Sequence, residues 1–161
     1  MKYAQGTNVP VETTQAQIRG LLATHGATAF AYAEGTGPDG QERAAMQFVL
    51  GGLPYKFEIR RPTAASFEAE YLAKRKPGMR YRLDHKSRAD AEWRRLWRAR
   101  LLWLKATLEF ASGEGPEEVQ RVLLPLLVLP DRETTMFEHA QRVLPSAYGA
   151  GKMPLLTGGD S

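Results

Sequence analysis

The chain predicts an α+β fold, and three observations predict it. Apolar residues recur at helical spacing up to residue 25. They alternate with period two between residues 28 and 61, and they return to helical spacing from residue 87 onward. An N-terminal helix, a three-stranded antiparallel β-meander, then a long basic helix and two or more further helices follow from that order. With 161 residues and 17.9 kDa, the chain has the size of one domain. We place that domain at 1–145, with a flexible tail at 146–161.

Thr14 followed by Gln17 reads as a capping box, with Ile18, Leu21 and Leu22 repeating behind it and Gly26 as a stop, which predicts a helix over 14–25. Phe30 and Tyr32, then Met46, Phe48 and Leu50, then Tyr55, Phe57 and Ile59 alternate with small or polar residues, so strands are expected at 28–34, 43–50 and 54–61. Residues 35–40 have the composition of a loose turn, and Gly51-Gly52 that of a tight one. One face of the meander carries large apolar side chains, and the other mixes alanine with polar residues.

A short helix is expected from Ser66 to Lys74, with Phe67 and Tyr71 on one side. Pro77 disfavours helix in the residue before it, so Met79 to Lys86 reads as a basic loop or arm. Ser87 with Asp90 resembles a second capping signal. The long helix after it runs to about Ala111, with Trp93, Trp97, Leu101, Leu104 and Leu108 in one stripe and Leu102 and Trp103 widening it. Pro116 opens the next helix, with Glu117 and Glu118 at its positive end, and Pro125 kinks or ends it. Asp131 is the expected cap of a last helix over 132–144, with Phe137, Ala140 and Leu144 facing inward and Pro145 ending it.

Composition excludes several classes of function. There is no cysteine, so there is no disulfide framework, thiolate nucleophile or thiolate metal site. His25, His85 and His139 are isolated, with no partner at metal-ligand spacing. Tyr148 to Lys152 superficially resembles a phosphate loop, but Ser146 stands where its first glycine belongs and Met153 follows the lysine. Glu68 and Glu70 lie two apart and point apart on a helix. No GxSxG occurs. The expectation is a protein without catalysis, metal or cofactor. The longest apolar run, Val122 to Leu129, is too short for a membrane span, and no secretory signal opens the chain. A cytoplasmic protein is expected.

Charge is the informative feature. Between Lys74 and Lys105 lie twelve basic residues against three acids, a balance of +9, while the rest of the chain carries −5. Such a zone attracts polyanions. The expected contacts to nucleic acid are Lys74, Arg75, Lys76, Arg80, Arg82, Lys86 and Arg88, with Arg94, Arg95 and Arg98 extending the track. Tyr81, between two arginines, is the expected base-stacking residue. Trp93 and Trp97 share a helix face and are expected in the core.

The blocks NVPVETTQAQIRGLLATHGATAFAYAE, WRRLWRARLLWLKATLEFASG, LLPLLVLPD and GAGKMPLL resemble a family of small, uncharacterised bacteriophage and prophage proteins. The resemblance covers most of the chain. It implies a gene among those of phage DNA metabolism and a protein at work in the infected bacterial host. It transfers no catalytic residue. In architecture, a meander followed by a long basic helix is similar to the single-strand annealing proteins of recombination. The function expected is therefore binding of DNA, single-stranded in particular. The alternative is an accessory protein that binds a host or phage protein through its basic zone. Self-association is also expected, because the meander has open edges.

Overall fold

The structure is a computed structural model that describes residue 4, residues 6–76, residue 78 and residues 84–149. The α+β architecture is as expected: one helix, a three-stranded antiparallel sheet, then a long helix and further helices. Helix α1 spans Val11–Thr24, one turn earlier than the capping signal implied. Thr14 is fully buried inside the helix, and its hydroxyl donates to the Pro10 carbonyl at 3.3 Å. The proline before Val11 holds its φ at −57°, a value a helix start accepts. His25 caps the far end, and Gly26 leaves it at φ 88°.

Strands β1 (Thr28–Thr36), β2 (Glu42–Leu50) and β3 (Leu53–Arg60) pair in sequence order. Tyr32, Met46 and Phe57 lie opposite one another across the three strands. Gly51 and Gly52 both have positive φ, as a two-residue hairpin needs. The register slips between Thr28 and Ala31, where Ala29 has φ 52°. Ala44, Met46, Phe48, Leu50, Tyr55, Phe57 and Ile59 form the buried face. The opposite face carries Ala31, Ala33, Gln47, Lys56 and Glu58.

Helix α2 (Ala64–Lys74) begins at Thr63, whose hydroxyl accepts from the Ser66 N–H. Helix α3 (His85–Glu114) begins two residues before the expected start. Asp84 rather than Ser87 is its cap: the carboxylate accepts from the backbone N–H groups of Lys86 and Ser87, and the Ser87 hydroxyl donates to it at 2.6 Å. An ionised oxygen outcompetes a hydroxyl for those N–H groups. Helix α3 lays Trp93, Trp97, Leu101, Leu104 and Leu108 on the sheet. Trp97 is fully buried, edge-on to Phe57 and Trp93 with ring centroids 6.2 and 5.7 Å away. Trp103 does not widen this stripe; it is 40% exposed.

Helix α4 (Pro116–Leu123) gives way at Pro125 to a 3₁₀ turn, Leu124–Leu126. The chain then crosses the outer edge of β3, with the Val128 N–H donating to the Pro54 carbonyl at 2.9 Å. The last helix differs from expectation in three ways. It is α5, Met136–Gly149, and its cap is Thr135. The Thr135 hydroxyl accepts from the Glu138 N–H while the Glu138 carboxylate accepts from the Thr135 N–H, a reciprocal capping box. Asp131 instead closes the preceding turn by accepting from the N–H groups of Glu133 and Thr134. Pro145 lies inside the helix. It forfeits one bond to the Gln141 carbonyl, and Gln141 is at the surface, where water can satisfy that oxygen. The folded part therefore continues past 145 to Gly149. Phe137 and Leu144 face outward, about half exposed, because α3 already covers the buried sheet face.

The Asp131 turn predicts a pH response. The Thr134 hydroxyl and the backbone N–H groups of Thr134 and Glu133 hold its carboxyl down to about 2. A carboxylate whose folded pKa is depressed adds stability above its unfolded value of about 3.9, and that contribution fades as pH falls through the folded value. The turn is expected to loosen locally between about pH 4 and pH 2. A carboxyl-carbon NMR titration of Asp131 with a midpoint near the ordinary aspartate value would contradict this.

Candidate nucleic-acid interface

The residues expected to meet nucleic acid do not form one stripe. Helix α2 ends beside the start of α3, where the Tyr71 and His85 rings lie 5.9 Å apart and the Arg88 guanidinium sits 4.9 Å from the centre of the Phe67 ring. Lys74, Arg75 and Lys76 follow Tyr71 at the end of α2, and Lys86 and Arg88 follow His85 at the start of α3, all five exposed. Lys74 is paired with Glu70 at 2.6 Å. Arg75, Lys76, Lys86 and Arg88 have no carboxylate within 4 Å among the described residues, although Lys86 interacts electrostatically with Asp84. The corner is also the positive end of the thirty-residue helix α3. Arg80, Tyr81 and Arg82 lie outside the described residues.

Further along α3 the three expected arginines diverge. Arg95 is held by Glu92 through two hydrogen bonds of 2.7 Å, which neutralise it and raise its pKa. Arg98 turns toward α1 and donates to the Gln17 side-chain oxygen at 2.6 Å. Arg94, four residues before Arg98, lies on the same flank. Its Nε is buried and has no acceptor among the described residues. Consecutive helix positions are rotated by about 100° from one another, so Arg94 and Arg95 cannot share a track.

Three cationic positions that sequence reasoning did not single out as contacts emerge from the packing. Arg100 is on the opposite flank of α3, with its guanidinium 5.1 Å from the centre of Phe57 and 5.2 Å from that of Trp103. Burial lowers its pKa, and no carboxylate pairs with it among the described residues. Arg60, at the end of β3, shares a groove with Arg100 and Trp103. Arg61 lies 5.7 Å from the centre of the Trp93 ring, and its nearest carboxylate, Glu42, is 3.9 Å away. Arg100 and Trp103 are three residues apart, a helical signal that could have shown their pairing. Nothing in the local sequence links Arg61 to Trp93.

A cleft opens between the N-terminus of α1, strand β1 and the N-terminal third of α3. Two cavities, of about 570 and 230 Å³, share Glu34, Arg61 and Trp93 there. Tyr32, a residue 45% exposed, lines it with its hydroxyl donating to Glu34. Burial, then the bond to Glu34, pushes the Tyr32 pKa up to about 12, so the phenol stays neutral across the physiological range. No group of three or more histidine, aspartate or glutamate side chains is placed to hold a metal ion among the described residues. No described helix is long and apolar enough to cross a membrane. Comparison with protein-family models, curated proteins and solved structures yields no match for this chain.

Proposed function

We propose that this is a phage-encoded, non-enzymatic protein that binds single-stranded DNA during phage replication or recombination in the host cytoplasm. The observation that carries the reading is the α2–α3 corner, which carries Arg75, Lys76, Lys86 and Arg88 with no carboxylate within 4 Å among the described residues and with Arg88 braced on Phe67. Phosphates bind such a cluster by releasing counterions. Single-strand selectivity is supported by aromatic rings next to guanidinium groups, Phe67 by Arg88 and Trp103 by Arg100, because only unpaired bases offer faces to stack on them. The outer edge of β1, which no strand pairs among the described residues, supports the addition of a second copy, which would place two such corners on one particle.

The test is fluorescence anisotropy with a labelled oligonucleotide across a salt series. Affinity should fall with salt at a log–log slope of roughly −0.7 per phosphate contacted, and single strands should bind more tightly than duplex. Sedimentation in the same buffers counts the chains per strand. No binding to any oligonucleotide at low salt would remove the proposal.

A second reading has its own support. Phe137, Leu144 and Tyr148 recur at spacings of seven and four along α5 and are each about half exposed, which makes one apolar stripe. A host or phage protein could cover it. A partner retained from nuclease-treated lysate, and lost on Phe137→Glu, would favour that reading.

A further inference from the structure

We infer that the cleft between α1, β1 and α3 is a nucleotide subsite, built to take one 5′-phosphorylated nucleoside unit. The inference rests in part on the DNA-binding reading, since a bound strand is one source of that unit; a free mononucleotide is the other. Four features of the cleft meet the chemistry of such a unit.

The first is the pair of cations. Arg94 lines the cleft with a buried Nε–H that has no acceptor among the described residues. That Nε has no exposed surface, so it is the terminal guanidinium nitrogens of Arg94 that would meet an incoming phosphate oxygen. Arg61 lines the same cleft and is oriented by Trp93, with its nearest carboxylate too distant for a hydrogen bond. Both guanidinium groups line the cleft, and the planar guanidinium fork is the donor that phosphate geometry favours.

The second is the ring of Tyr32. The residue is half exposed, and its hydroxyl is fixed by Glu34 and Gln15, so it presents a neutral aromatic plane at one orientation. A base can stack on such a plane with little loss of side-chain freedom. The third is a rim of acceptors, Glu12, Gln15 and Asp90, which suits the exocyclic amine of adenine, cytosine or guanine. Glu12, Glu34 and Asp90 outnumber the two guanidinium groups of the cleft and oppose each added phosphate, so a monophosphate is preferred to a triphosphate. The fourth is size. The larger cavity, about 570 Å³, falls within the range of about 300–1,000 Å³ typical of small-molecule sites.

The experiment uses the full chain and two probes, 5′-dAMP and a single-stranded oligonucleotide. Binding of 5′-dAMP is followed by NMR through the indole of Trp93 and the ring of Tyr32. We expect shifts confined to the cleft. Arg94→Gln should weaken 5′-dAMP about ten- to a hundredfold, the effect of losing a hydrogen bond to a charged group. The nucleoside without its phosphate should bind more weakly still. Tyr32→Leu should lose binding, and Tyr32→Phe, which keeps the ring, should retain most of it. Both Tyr32 variants are checked for a native spectrum, and Arg61→Gln supplies an independent second variant.

The outcomes separate the two claims. Cleft shifts with 5′-dAMP and a matching loss of oligonucleotide affinity in Arg94→Gln would support the inference, with the strand as source. Shifts with 5′-dAMP but no oligonucleotide binding would support a free-nucleotide site and remove the DNA-binding reading. No cleft shift with up to about 10 mM 5′-dAMP, while oligonucleotide binds wild type and Arg94→Gln alike, would overturn the inference and leave the DNA-binding reading intact. Silence with both probes overturns both.

Discussion

Reversing Arg75, Lys76, Lys86 and Arg88 together to glutamate is expected to weaken binding of a single-stranded oligonucleotide by about a hundredfold or more at moderate salt. The four side chains are exposed and have no carboxylate within 4 Å among the described residues, so no described ion pair neutralises them. The salt dependence should also change. At roughly −0.7 per phosphate contact, four lost contacts make the log–log slope shallower by about 3. Reversal of Arg95 is the contrasting control. Its guanidinium is held by Glu92, so its loss should alter affinity far less. Unchanged anisotropy curves for the fourfold variant would show that the strand lies elsewhere, and the Arg60–Arg100–Trp103 groove would be the next surface to reverse. The exposed positions make unfolding a minor concern, which circular dichroism checks directly.

Trp97→Ala should remove about 3–5 kcal/mol, a large share of the roughly 5–15 kcal/mol that holds a domain together. Trp97 is fully buried where α3 meets the sheet, with Phe57 and Trp93 edge-on to its ring and Tyr32 6.0 Å away. Truncation leaves a cavity at the junction of every layer, and the backbone of a thirty-residue helix cannot collapse into it. Trp97→Phe should cost less, because it keeps an aromatic ring and deletes an indole N–H that has no hydrogen-bond partner among the described residues. Trp103→Ala, on the exposed side of the same helix, should stay within about 1 kcal/mol of wild type. Urea midpoints for the three variants give the comparison. Equal losses at Trp97 and Trp103 would mean that α3 is rotated from the orientation described.

The two predictions draw on different kinds of information. The fold class was legible from the sequence because periodicity reports which side of an element is buried. The alternation Met46, Phe48, Leu50 and Tyr55, Phe57, Ile59 matches the buried face of β2 and β3, and the stripe Trp93, Trp97, Leu101, Leu104, Leu108 matches the buried face of α3. Helix ends were less legible. Thr14, Ser87 and Asp131 each had the chemistry of a cap, but a cap depends on which neighbouring group reaches the free N–H groups first. Pro10, Asp84 and Thr135 occupy the positions at which the helices start or stop. Phe137 and Leu144 were expected inside for a related reason: periodicity identifies an apolar side without saying whether another element remains to cover it.

By itself, the sequence determined where the charge lies and how many layers the chain makes, since both follow from residue types at fixed spacing. Only the tertiary structure decided which cations remain available. Arg95 is cancelled by Glu92, Arg98 is turned toward Gln17, and Arg100 is held between Phe57 and Trp103. Arg61 and Arg94 line one cleft although more than thirty residues separate them. Spacing along one helix reports neighbours within that helix. A site assembled from β1, the end of β3 and α3 depends on how strands and helix cross, and that is set by the packing of Trp97 against the sheet rather than by any local run of residues.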